Sequence, residues 1–220
     1  MFWKEEIDEE RFVVPEDVVD VIFKIHCPTL PIDHAWSLSD AIHEALPWFS
    51  EEPRAGLHLI HGADSKNGWE RPTNSDALLY LSRRTPLILR LPRERVEDAL
   101  SRLSGQRFEL MGHKLEIGEG HTRLLGSTST LYCRHMVVPG ADTEEAFLEA
   151  AVGMMNALNL SYKKVLCGKG TEFKTPEGTL SSQSLMVAGL PLDDAITLQE
   201  EGLGPMRNRG FGLFIPHKTV

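Results

Sequence analysis

The chain has only three cysteines in 220 residues: Cys27, Cys133 and Cys167. None has C-x-x-C spacing, so a structural zinc site or a thioredoxin-type pair lacks its usual signal. Isolated cysteines of this kind fit core positions in a reducing cytoplasm. No run of about 18 apolar residues occurs, so no membrane-spanning helix is expected. Met1-Phe2-Trp3-Lys4 leads into acids, not into an apolar run, so no secretory signal is expected either. Positive charge is also scarce. There are 23 Lys and Arg against 32 Asp and Glu, a net charge of −9. At face value that argues against a nucleic-acid partner.

The acidity is uneven. Residues 1–20 hold eight acids and two bases, a net of −6, which leaves −3 for the other 200. Residues 1–17 read as an acidic, solvated leader. The remainder has globular composition, 41% hydrophobic and 25% charged over the whole chain.

Periodicity divides this remainder into two similar halves. Val18–Cys27 is β-branched and stops at Pro28, as a strand does. Asp33 is a candidate N-cap for a helix carrying Leu38, Ile42, Ala45, Leu46 and Phe49 at helical spacing. Gly56–Ile60 reads as a strand, 61–72 as a polar loop and 78–91 as a strand. Arg93–Leu103 reads as a helix ended by Gly105, and 107–117 as a strand. A Gly/Ser/Thr-rich connection, 118–129, follows. The order then repeats: strand Leu131–Val138, a helix capped by Asp142 or Thr143, strands at 163–174 and 179–189 around Pro176-Glu177-Gly178, a helix at Leu192–Gln199 and a strand at Phe211–Ile215. The expected fold is α+β, with two tandem ferredoxin-like (RRM-like, βαββαβ) domains at 18–120 and 128–220.

The most concentrated chemistry lies between the last helix and the last strand. Gly202-Leu203-Gly204-Pro205-Met206-Arg207-Asn208-Arg209-Gly210-Phe211-Gly212 carries four glycines and two arginines. Glycine allows close backbone approach, and the arginine fork matches phosphate. The motif is neither a Walker loop nor G-x-G-x-x-G, because Arg207 stands where the third glycine belongs.

This G-Φ-G-x-x-R-x-x-G-Φ-G pattern resembles the glycine-rich loop of the CRISPR-associated repeat-RNA endoribonucleases of the RAMP superfamily, the sixth Cas family. LPIDHAWSLSDAIHEALPW (Leu30–Trp48) looks like that family's first helix. AGLHLIHG (Ala55–Gly62), LRLP (Leu89–Pro92) and SGQRFELMGHKLEIG (Ser104–Gly118) are similar to stretches of its compact subfamily. The resemblance runs from about residue 18 to the end and omits the leader. It implies an enzyme that cuts CRISPR precursor RNA within its repeats, without metal or cofactor. In the similar proteins the ribose 2′-hydroxyl attacks the adjacent phosphorus and leaves a cyclic phosphate. It also implies repeat RNA as partner, with other CRISPR effector subunits as further candidates.

Such chemistry needs an acid–base group, and nine histidines are available. His43 lies about 100° around the helix from Ile42, beside the apolar stripe, so it can look onto a cleft. It also matches best the position where several family members carry the catalytic histidine. His34 is the runner-up, since some relatives place theirs early on this helix, although it can equally pack at the helix start. His58 and His61 rank lower. Gly202, Gly204, Arg207, Arg209, Gly210, Phe211 and Gly212 are the candidate RNA-binding residues, and no metal ligands are expected. Lys66, Trp69 and Arg71 could clamp RNA. Arg83, Arg84 and Arg90 could line a groove or be solvated strand charge.

Two other readings compete. A non-catalytic RAMP-type subunit holding CRISPR RNA would use the same fold and loop. The discriminator is whether a histidine faces the Gly/Arg loop. An H-x-T phosphoesterase needs two such motifs, and only His217-Lys218-Thr219 is present. The acidic balance does not exclude RNA, because most of it lies in the leader. It predicts that an unrelated RNA binds weakly, with affinity falling steeply across a salt titration. Tight, salt-resistant binding to such an RNA contradicts this reading.

Overall fold

Val18-Val19-Asp20-Val21-Ile22-Phe23 forms the centre of the first sheet, because its alternate residues are buried against two different neighbours. The computed structural model describes residues 12–62, 72 and 77–217. Its first half contains β1 (Val18–His26), β2 (Thr29–Pro31), α1 (Ala35–Ala45), β3 (Gly56–His58), β4 (Leu78–Tyr80), β5 (Pro86–Pro92), α2 (Val96–Leu103), β6 (Arg107–Leu110) and β7 (His113–Leu124). The second half contains β8 (Thr130–Met136), α3 (Glu144–Ala157), β9 (Lys164–Thr175), β10 (Gly178–Ala188), α4 (Leu192–Glu201) and β11 (Phe214–Pro216).

The first sheet has the order β3-β5-β1-β7-β6 and the second β11-β8-β10-β9, with every pairing antiparallel. Setting aside the extra edge strand β6, both place the motif's first and third strands in the middle and its second and fourth outside. This is the ferredoxin-like order, so the expected tandem fold is present.

Local details depart from the periodicity. The N-cap of α1 is His34, whose side chain gives no cap bond, and not Asp33. It ends at Ala45, because Pro47 has no N–H to continue the ladder, and Pro47–Ser50 forms a separate 3-10 turn. Residues 78–91 are two strands: β4 pairs with β2 in a small separate sheet, and β5 joins the main one. The 107–117 segment is a hairpin turning at Met111-Gly112. Its second arm continues to Leu124 along β1, so much of the expected 118–129 connection is strand. Thr143 does cap α3, its hydroxyl accepting from the Ala146 N–H at 3.2 Å. Cys27 and Cys133 are buried, while Cys167 is only partly covered.

Each unit has its own core. Val19, Val21 and Phe23 of β1 meet Leu38 and Ile42 of α1. Leu131 and Cys133 of β8 meet Phe147, Ala151 and Met155 of α3. The other face of β1 carries Asp20, directly opposite Arg90 on β5 and Arg123 on β7. Arg90 is 1% exposed, so it neither lines an open groove nor is solvated. Its Nε donates to Asp20 Oδ1 at 2.9 Å, and Arg123 Nη2 donates to Asp20 Oδ2 at 3.0 Å. Arg90 Nη1 then crosses to the second unit and donates to the carbonyls of Gln199 (2.9 Å) and Phe214 (2.7 Å). The Gln199 side chain donates back to the Gly126 carbonyl at 2.8 Å and accepts from its N–H at 3.2 Å. Burial alone would raise the Asp20 pKa. Arg90 and His58 outweigh it and hold the carboxyl well below its ordinary value.

Arg90→Leu leaves Asp20 charged and short of a partner, and two carbonyls unbonded. It is expected to cost about 3–5 kcal/mol in urea unfolding, with part of the loss recovered by adding Asp20→Leu. Asp20, with its depressed pKa, stabilises the fold above its unfolded pKa, and that contribution disappears as pH falls through the folded value. The Asp20→Leu background should lack that acid limb.

Candidate functional site

Trp36, Ser39, Asp40 and His43 follow one another at i, i+3, i+4 and i+7 and so share one face of α1. The loop between α4 and β11 lies across this face. Its middle is a 3-10 turn, Arg207–Arg209, and each of these three residues reaches into the first unit. Arg207 Nη2 donates to the Arg54 carbonyl at 3.2 Å, and Asn208 Nδ2 donates to the Ser50 carbonyl at 3.3 Å. Arg209 Nη1 donates to Ser39 Oγ and Asp40 Oδ1, both at 2.8 Å, and its guanidinium lies 5.2 Å from the centre of the Trp36 ring. The second unit therefore supplies the loop, and the first supplies the surface that orients it.

His43 is half-buried beside this turn, its ring 5.8 Å from that of Phe49. Its Nε2 is buried and has no hydrogen-bond partner among the described residues. Burial, and then the charge of Arg209, push its pKa below the ordinary histidine value, against the opposing pull of the Asn208 main chain and Asp40. The imidazole is thus mainly neutral at pH 7, with an unpaired, buried nitrogen and a fixed cation beside it.

His34 is placed differently. It is 2% exposed and both ring nitrogens are engaged. Nδ1–H donates to the Pro31 carbonyl at 2.9 Å, and Nε2 accepts from the Ile60 N–H at 3.2 Å. That neutral tautomer ties the start of α1 to the segment after β3. His58 and His61 line a cavity of about 490 Å³ between the two units, with Asp20, Arg123, Arg134 and His135. His58 Nε2 lies 3.6 Å from Asp20, and burial lowers the pKa of both histidines. His43 does not line this cavity, whereas Gly210 of the loop does.

The loop holds its shape through its own backbone. The Leu203 N–H donates to the Gly212 carbonyl at 3.1 Å, and the Gly212 N–H to the His135 carbonyl at 2.8 Å. Gly202 and Gly212 have φ of +64° and +70°. A Cβ on Gly202 would stand 2.5 Å from the Gly212 carbonyl oxygen and 2.6 Å from Arg207 Nη1, and one on Gly212 would collide with the Leu203 carbonyl. Phe211 is buried between Phe173 and Trp36, at ring distances of 5.0 and 6.0 Å. Among the loop residues singled out from sequence, Gly202, Arg207, Phe211 and Gly212 are buried, while Gly204, Arg209 and Gly210 keep part of their surface open.

Asp40, Ser39, Trp36 and Asn208 are additions that sequence reasoning missed. The spacing on α1 carries that signal, once Arg209 is known to lie against it. Lys66, Trp69, Arg71, Lys218, Thr219 and residues 1–11 of the leader lie outside the described residues. Among the described residues, no helix is long and apolar enough to cross a membrane, and no group of three His, Cys, Asp or Glu could hold a metal ion.

Known proteins share this fold. A CRISPR-associated endonuclease Cas6 of Myxococcus xanthus (strain DK1622) is 29% identical over 198 residues, covering 90% of this chain and 81% of that protein. A solved CRISPR-associated protein Cas6 superposes with a TM-score of 0.62 at 10% identity, over 91% of this chain and all of the other. A RAMP protein described as binding different RNA substrates superposes with a TM-score of 0.62 at 13% identity, over 90% of this chain and 98% of the other. At those identities the two structures speak for the fold alone. The Cas6 CRISPR family model matches residues 19–219, from the first strand through the glycine-rich loop to the last. The chain belongs to the Cas6 family of CRISPR proteins.

Proposed function

We propose that this protein is an endoribonuclease that cuts CRISPR precursor RNA within its repeats, by 2′-hydroxyl attack and without a metal ion. The observation that carries the reading is a neutral histidine with an unpartnered ring nitrogen beside an arginine held in place by three side chains. The name of the Myxococcus relative supports endonuclease activity, and family membership supports the CRISPR transcript as substrate.

In this mechanism His43 is the general base. It takes the 2′-hydroxyl proton, the 2′-oxygen bonds to the adjacent phosphorus, and the bond to the 5′-oxygen breaks. The leaving 5′-oxygen takes a proton from solvent. The products are a 2′,3′-cyclic phosphate and a 5′-hydroxyl. Arg209 faces the charge that develops on the phosphorane, and its bonds to Ser39 and Asp40 fix it in advance. His34 supports the start of α1 and takes no part in proton transfer.

Single-turnover cleavage of the cognate repeat RNA tests this directly. Cleavage should persist in EDTA and stop when the nucleotide 5′ of the cut carries a 2′-deoxyribose. Loss of cleavage in EDTA overturns the metal-free route. An RNA that binds and is never cut turns the reading toward a non-catalytic RNA-holding subunit. The rate should fall on the acid side with a midpoint below that of an ordinary histidine, as His43 takes up a proton. Burial is the larger cause of the lowered His43 pKa, and Arg209→Gln removes the second, so the acid limb should move to higher pH while the plateau falls. An acid limb that stays put in that variant excludes His43 as the base.

A further inference from the structure

Arg207 is an unusual member of this loop. It is 8% exposed, and only one of its nitrogens is placed on an acceptor, Nη2 on the Arg54 carbonyl. Nε and Nη1 are buried with no hydrogen-bond partner among the described residues. Its surroundings add positive charge as well as negative: Arg90 and Arg54 act against the guanidinium, and Glu201 for it. Burial, followed by Arg90, brings its pKa down to about 10, so it stays charged at neutral pH. A charge kept this deep with two idle donors weakens the fold unless something else requires it.

The neighbours of Arg207 show what that requirement is. Arg207, Asn208 and Arg209 are consecutive, and each bonds across to the first unit, at Arg54, Ser50 and Asp40. Arg207 makes the innermost of these three bonds, and Arg209 makes the one beside His43. Gly202 gives the guanidinium room, since a Cβ there would press on Nη1. The side chain therefore fills the space under the loop and pins its turn to the segment ahead of β3.

We propose that Arg207 is a positioning residue: it does not meet the RNA, but latches the turn to the Arg54 main chain and so holds Arg209 against His43, at a net cost to the stability of the fold. This rests on reading His43 and Arg209 as the reacting site, but its primary readout does not. Neutral, apolar Arg207→Met removes the latch and the idle donors together. His43 faces Arg209 and the Asn208 main chain from the loop, Asp40 on its own helix, and the Phe49 ring. If the turn swings away, His43 loses the charge of Arg209 and part of its burial, and both changes raise its pKa. Loss of the Asn208 contact acts the other way and is the lesser effect.

The test is an NMR titration of the His43 ring in the full chain without RNA, together with thermal unfolding. Arg207→Met should move the His43 midpoint to higher pH while unfolding at or above the wild-type temperature. Arg207→Lys keeps a long donor for the Arg54 carbonyl and should return the titration toward wild type. With repeat RNA, Arg207→Met should lose on the order of tenfold in kcat, with KM within about twofold, because geometry and not binding is lost. An unchanged His43 titration, or an Arg207→Met protein that unfolds below wild type, overturns the proposal. Whether His43 reacts at all is tested separately, by His43→Ala cleavage.

Discussion

A buried carboxylate between two arginines is the constraint on which the two-unit arrangement depends. Asp20 sits on the central strand of the first sheet with Arg90 and Arg123 opposite it on either side. A carboxylate this deep is costly unless its charge is met, and meeting it commits Arg90 to a buried position. Arg90 then has donors left over. The acceptors they reach are main-chain carbonyls at the end of α4 and on β11, the two elements that bracket the glycine-rich loop. One ion pair thereby fixes where the loop starts and where it ends relative to the first unit.

The site follows from that fixed frame. A loop anchored at both ends is closed by bonds between Leu203, Gly212 and His135, and its turn projects onto α1. Glycines in this loop serve the backbone first, since side chains at Gly202 or Gly212 would strike neighbouring main chain. The arginines divide by depth. Arg207 is under the turn, and Arg209 is on its outer side, over Trp36 and against Asp40. His43 then feels a cation whose position two units together determine, and that charge adds to burial in lowering its pKa.

The fold was largely legible because each half repeats one element order and its apolar residues keep the expected period. The long β7 was missed, since Gly118, Gly120 and polar residues look like a connection when read alone. They are strand because β1 offers a full-length partner. Arg90 looked like ordinary strand charge, as nothing local marks a residue whose acceptors lie more than a hundred positions away. The place of His43 beside the apolar stripe was legible from helical spacing. His34 could not be separated from it, because its two partners, Pro31 and Ile60, become visible only in three dimensions. The contacts of Asp40 and Asn208 likewise depend on the meeting of two units.

The central claim is that α1 and the glycine-rich loop form one reacting site. A double-mutant cycle on single-turnover repeat cleavage tests it most directly. His43→Ala should cost about 10²–10⁴-fold in rate, and adding Arg209→Gln to it should cost little more, because two groups acting on one transition state lose their effects together. Independent, multiplying losses, or a His43→Ala protein that cuts at the wild-type rate, would contradict the account.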